Sequence, residues 1–452
     1  MIKKIENIAY YLAWFVLGAL VLYDAYLLEK NAFDFPWFDE WELFPSGNLS
    51  NIFRLYHGHL SFFYELLSEF MLKFFDWNLR YFCFLSFGVY CLTALFYYWA
   101  ILRYGVCNKR HWWLSLTLLP LFAVLFGYNW LLPLMVQTYT YIFFCLLAVY
   151  FGFIRDKGFV GVVLFAISIL LSALSMNWPL AIGTLMAFMG KELLYIKEDF
   201  VRRCARIGAV LVIFMTAVIF FFWPKTFSAI NDWNLIDVFS YWYLELISFY
   251  IWNCLSLFLW ARAFPSEVYI GLFFLHLVFL SMAFFEQYRQ KEKQCLWAVV
   301  AAVMFNICVV VAVRHGEVYR FDFSFIRHNV VAFIMLPATF TIFLLSTKKY
   351  LRWYGWGLFM MMLAGVVLDV KRSTPRFYFY SELLYENPCS CMNHYYYLKT
   401  IDTWACKNGF FRSVDEYFED ALAKKLSFTN TMRGCFSADE RILGEMKKKI
   451  DF

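Results

Sequence analysis

The chain has 452 residues, of which 62% are hydrophobic, 23% aromatic and only 16% charged. An ordinary soluble domain is about half apolar and about a quarter charged. The composition therefore excludes a soluble enzyme, a disordered chain, a collagen-like chain and a small disulfide framework. A net charge of +6 is mild, and its cations are scattered between apolar stretches, so nucleic acid is not an expected partner.

Charge divides the chain in two. Residues 371–452 hold 24 charged side chains in 82 positions, whereas the preceding 370 residues hold 50. The expected organisation is a transmembrane body over 1–370 followed by a tail domain over 371–452. The first apolar stretch, from Ile8 to Leu28, has no small-residue cleavage site behind it. It reads as a retained first membrane helix, not a removed signal.

About 20 apolar residues are needed to cross the hydrocarbon core as a helix. On that rule the expected fold class is all-α, a polytopic bundle of about eleven spans. These fall near 7–28, 80–102, 112–127, 132–153, 159–176, 179–195, 207–223, 267–286, 295–313, 329–347 and 353–370. With Lys3 and Lys4 inside, the inner ends and loops carry 18 Lys and Arg, and the outer loops before the tail carry nine. That bias predicts a cytoplasmic N-terminus and an extracytoplasmic tail. The outer loops are then 29–79, 224–266 and 314–328. Within the second of these, Tyr241–Trp260 is apolar enough to span but reads as a helix lying in the interface, because a crossing would turn the basic loop 289–293 outward. Residues 60–75 are expected to form an amphipathic surface helix. Glu65, Glu69 and Lys73 share one face, beside an apolar stripe of Phe62, Leu66, Phe70 and Phe74.

Three outer segments carry the chemistry-bearing residues. In loop one, Asp34, Asp39, Glu40 and Glu42 lie among Phe35, Pro36, Trp37, Phe38 and Trp41. A carboxylate in a partly apolar setting tends to hold its proton more tightly, which suits a general base. Asp39 and Glu40 are adjacent and cannot point the same way on a regular element. One acts on substrate while the other orients a neighbour or caps a helix; a solvated loop is the plainer alternative. Next, Arg54 precedes His57-Gly58-His59. On extended backbone two such imidazoles share a face and could hold a metal, but no third ligand stands nearby apart from the acids. Hydrogen bonding to a phosphate or sugar is the other reading. The third segment, Arg314 to His328, carries Arg314, Arg320, Arg327, His315 and His328. The planar guanidinium matches phosphate oxygens and stays charged, so a phosphate site is expected there; pairing with headgroups or loop-one acids is the alternative.

In the tail, Cys389, Cys391, Cys406 and Cys435 make an even set, consistent with two disulfides in an oxidising compartment. Zinc fits less well, because Cys389 and Cys391 lack knuckle spacing. A carboxylate base, His donors and an Arg cluster beside a membrane suit a substrate whose phosphate lies at the interface and whose tail lies in lipid. No P-loop, G-x-G-x-x-G, G-x-S-x-G or H-E-x-x-H occurs.

In its topology and in these motifs the chain resembles the GT-C superfamily of integral-membrane glycosyltransferases. Phe38-Asp39-Glu40-Trp41 sits where that family carries an acidic motif, just after the first helix. Tyr56-His57-Gly58-His59 and Arg314 to His328 look like the His-rich and Arg-rich elements of a bacterial subgroup, the serotype-converting O-antigen glucosyltransferases. The resemblance implies a polyprenyl-phosphate-linked sugar donor, a lipid-linked or surface glycan acceptor, an inverting displacement and a bacterial inner membrane. It makes Asp39 the base and gives Arg320, Arg327 and His328, with Arg314 in reserve, the donor phosphate. It implies no cofactor. An O-antigen polymerase or ligase, and a polysaccharide flippase or transporter, stay open as alternatives.

Overall fold

Long apolar runs without internal proline form most of the helices, and the breaks fall where proline, glycine or charge intervenes. A computed structural model describes residues 2–32, 55–56, 59–107, 111–123, 131–155, 158–175, 178–194, 200–222, 266–318 and 330–371, with isolated positions 45, 47, 247, 374 and 423–424. The described chain is mainly helical. Helix α1 is Ile2–Asn31; a two-residue hairpin follows, β1 (Leu55–Tyr56) and β2 (His59–Leu60). Then come α2 (Phe62–Phe75) and α3 (Leu79–Gly105). Helix α4 (Trp112–Leu116) and a 3-10 turn (Leu119–Phe122) lead to α5 (Met135–Ile154), α6 (Gly158–Ala173), α7 (Trp178–Leu194) and α8 (Phe200–Phe222). The rest are α9 (Ser266–Gln287), α10 (Lys291–Val318), α11 (Val330–Leu344) and α12 (Lys349–Lys371).

Six helical stretches are long and apolar enough to cross a membrane: Lys4–Asn31, Leu79–Gly105, Met135–Ile154, Ile270–Gln287, Lys291–Val311 and Lys349–Lys371. Three further apolar stretches are shorter: Trp112–Phe122, Val160–Ala173 and Val330–Leu344. The stretch expected as one span over 112–127 is interrupted in its described part. Pro120 sits near the start of the 3-10 turn, where its missing N–H is harmless, and separates it from α4. The interface helix expected at Tyr241–Trp260 and the tail domain over 371–452 fall almost wholly outside the described residues.

Helix α10 is the centre of the bundle. It packs most extensively on α7 and also on α11, and its Cys295, Leu296, Val299, Ala302, Val303 and Ile307 are all buried. Gly183 of α7 makes the close approach possible, because a Cβ there would stand 2.8 Å from the carbonyl oxygen of Ala302. Around this pair lie α5 and α6, then α3 and α8, with α1 against α4 on one side. The outward surfaces of α1, α9 and α12 keep large apolar side chains exposed, among them Phe15, Leu22, Phe285 and Trp353. An apolar exterior of that kind suits lipid, not water.

The ends of the bundle differ. At one end, Lys191 Nζ donates to the Gly152 carbonyl at 2.7 Å, Lys293 donates to the Gly105 carbonyl, and Glu286 accepts from Ser346 and Thr347. Glu192, fully buried, is held there by Lys191, Arg203 and Arg206 at 3.7, 3.2 and 3.3 Å. Just past α5, the exposed Arg155 donates to Tyr150 Oη at 2.9 Å, and that bond raises the guanidinium pKa further. The opposite end holds the hairpin, α2, and the Glu29–Arg80 pair that ties the last turn of α1 to the first of α3.

Candidate functional site at the hairpin end

The expected surface helix forms, but its burial runs opposite to that of a soluble amphipathic helix. On α2 the polar side turns inward: Glu65, Ser68 and Glu69 are buried together with Tyr64 and Met71. The apolar stripe turns outward, with Leu66, Phe70 and Phe74 at 38, 45 and 61% exposure. A lipid-facing or interfacial setting makes both halves of that arrangement favourable. Tyr64 stacks on Phe82 of α3, and Phe63 meets Phe144 of α5, so α2 is pinned to two long helices. Ser68 Oγ accepts a 2.7 Å hydrogen bond from Trp77 Nε1. Asp76 and Trp77 take φ of 49° and 52°, a left-handed turn that ends α2 and lets Asn78 start α3. Asn78 caps α3 by accepting from the Tyr81 backbone N–H.

Two contacts join this platform to loop one and to the rest of the bundle. Glu69 accepts a 3.0 Å hydrogen bond from the backbone N–H of Gly47, whose φ of +74° favours glycine. Ser61, at the head of α2, forms an antiparallel bridge with Ser175, just past α6. Buried carboxylates, a backbone loop contact and an exposed apolar stripe thus meet in one place. Such a surface can hold a polar headgroup against the protein while lipid covers its outer flank.

Most of the residues singled out from the sequence lie outside the described residues: Asp39, Glu40, Arg54, His57, Arg320, Arg327, His328, Cys389, Cys391, Cys406 and Cys435. Two are described through their backbone. His59 belongs to β2, where it pairs with Tyr56, while Leu55 pairs with Leu60. The chain therefore reverses between Tyr56 and His59. The metal reading of the pair turns on His57, which lies outside the described residues. Arg314 belongs to α10, which runs on to Val318, past the expected end of that span at 313. The Arg-rich segment consequently begins inside a helix and not in a loop. Among the described residues, no three His, Cys, Asp or Glu side chains are grouped as metal ligands would be.

Two features escaped sequence reasoning. The inward turn of Glu65 and Glu69 depends on what α2 packs against, which no periodicity reveals. Asp24 was legible in principle as a lone acid inside an apolar span, the kind of position that marks function by default. Its carboxylate is fully buried, and neither oxygen has a hydrogen-bond partner.

The apolar helices define the class, a membrane-embedded helical protein. No protein-family model, no curated protein and no solved structure matches the chain.

Proposed function

We propose that the chain is a membrane glycosyltransferase of GT-C type, moving a sugar from a polyprenyl-phosphate donor to a lipid-linked or surface glycan. The observation that supports this reading best is the inverted burial of α2. Its carboxylates turn toward the protein and its Leu66, Phe70 and Phe74 outward, directly after the acidic loop, and Glu69 holds the Gly47 N–H of that loop. A donor with a charged head and a long apolar tail needs a protein surface at that depth and a lipid-facing flank beside it.

In the reaction, the acceptor hydroxyl oxygen bonds to the anomeric carbon while the bond from that carbon to the phosphate oxygen breaks. Asp39 takes the hydroxyl proton, with Glu40 orienting it. The departing polyprenyl phosphate keeps the electron pair, and Arg320, Arg327 and His328 carry its charge. Arg54, His57, His59 and Arg314 hydrogen-bond sugar and phosphate at the edge of the site. The proposed topology has eleven crossings in a bacterial inner membrane, with the N-terminus cytoplasmic and the tail periplasmic. There Cys389, Cys391, Cys406 and Cys435 form two disulfides.

The test is transfer of radiolabelled sugar from a polyprenyl-phosphate-sugar to lipid-linked glycan in membranes, with wild type and Asp39→Asn at equal expression. Removing a general base typically lowers the rate about 100- to 10,000-fold. Undiminished transfer by Asp39→Asn removes Asp39 from the base role. If Asp39→Asn and Glu40→Gln are both silent while Arg320→Ala and Arg327→Ala are dead, a polymerase or ligase replaces this reading. Absence of transfer by wild type across a panel of donors overturns it.

A further inference from the structure

Asp24 stands two turns below the outer end of α1, seven residues before Asn31. It is the one residue of the Lys4–Asn31 span whose side chain is acidic, fully buried and without a hydrogen bond on either oxygen. The depth of its neighbours follows from two contacts. Glu29 of α1 pairs with Arg80 of α3 at 2.5 Å, and Trp14 packs edge-on against Tyr98 at 4.8 Å. The two helices therefore run antiparallel, and Asp24 lies level with Ser86, itself seven residues from the start of α3 at Leu79. Both are about 10 Å below their helix ends at 1.5 Å per residue.

Ser86 is also fully buried, and its Oγ has no hydrogen-bond partner. Tyr90 lies one turn further along the same buried face of α3, and both it and Cys91 are within electrostatic reach of Asp24. From α12, Asp369 faces Asp24 electrostatically, and Tyr23 bonds to Thr374 at 3.0 Å just past that helix. Tyr139 of α5 packs against Tyr90 at 4.6 Å, and its own hydroxyl lacks a partner. The 112–116 and 119–122 segments that also pack on α1 carry no titratable side chain. Asp24, a serine hydroxyl and a tyrosine hydroxyl thus share one dry region of the bundle, with half-buried Asp369 at its edge, and among the described residues Asp369, not a cation, acts electrostatically on Asp24.

A bare carboxylate in such a place is costly, and proteins resolve the cost by protonation or by a bound cation. We propose that Asp24, with Ser86 at its level on α3 and Asp369 of α12 within electrostatic reach, forms an intramembrane site for a small cation, a proton or a monovalent metal ion. The site is separate from loop one and does not depend on the sugar-transfer reading.

The test uses full-length protein in native-lipid vesicles with dicyclohexylcarbodiimide, which modifies protonated carboxyls in apolar surroundings. Peptide mass mapping is expected to find the adduct on Asp24 in wild type at pH 6, and a severalfold change in its rate of formation in Ser86→Ala. Sodium chloride that suppresses the adduct identifies a metal ion as occupant; indifference to sodium identifies the proton. A pH-difference infrared spectrum, comparing wild type with Asp24→Asn, supplies the second measurement through the carboxyl band lost in the variant. An unmodified Asp24 together with identical infrared spectra overturns the proposal.

Discussion

Glu69 accepts a hydrogen bond from the backbone N–H of Gly47, 22 residues earlier, and so ties loop one to the interface helix α2. The bond matters because α2 is itself fixed, by Tyr64 on Phe82 and by Trp77 on Ser68. One point of loop one is thereby held against a fixed platform.

Breaking that tether is expected to free the loop without unfolding the bundle. A hydrogen bond to a charged group contributes about 1.5–3 kcal/mol. Glu69→Ala should therefore speed proteolytic cleavage within 33–54 by on the order of tenfold or more, while the thermal midpoint of the whole protein changes little. Sugar transfer should fall in the same variant. Unchanged cleavage would show that the Gly47 contact does not hold the loop.

At the other end, Glu192 pairs with Lys191, Arg203 and Arg206, and it joins α7 to α8. Removing one partner of a buried charge network strands the remaining charges and costs about 3–5 kcal/mol. Glu192→Ala is expected to lower the melting temperature in detergent sharply, and Glu192→Gln less so because it keeps the hydrogen-bonding shape. Equal melting temperatures for both variants and wild type would mean that the cluster is solvated and contributes nothing.

Gly183 and Gly190 lie on the same helix but face different surroundings. A Cβ at 183 would meet the backbone of Ala302 on α10 at 2.8 Å, whereas at 190 it would meet nothing within 4 Å. Overpacking a well-filled contact typically costs about 1–3 kcal/mol. Gly183→Ala should therefore destabilise the protein, and Gly190→Ala should stabilise it by about 0.5–1 kcal/mol, the usual helix preference for alanine. Thermal melts of the two variants side by side decide it; a reversed order would refute the tight α7–α10 packing.

Sequence alone was enough to recognise a helical membrane protein, because length and hydropathy suffice to make a helix cross a bilayer. It also located α2, since Glu65, Glu69 and Lys73 recur at helical spacing. What periodicity could not decide is which way a face turns. Glu65 and Glu69 of α2 are buried and its Phe70 and Phe74 exposed because α3 and α5 supply the inner wall and lipid the outer one. The same limit hid Asp24: one acid in an apolar run looks alike whether it faces water, a partner or an unpaired cavity. The hairpin register is of the same kind, because the pairing of Tyr56 with His59 joins two segments. Composition and spacing are properties of one stretch of chain; burial, pairing and the company of charges belong to two or more stretches brought together, and only the tertiary structure specifies those.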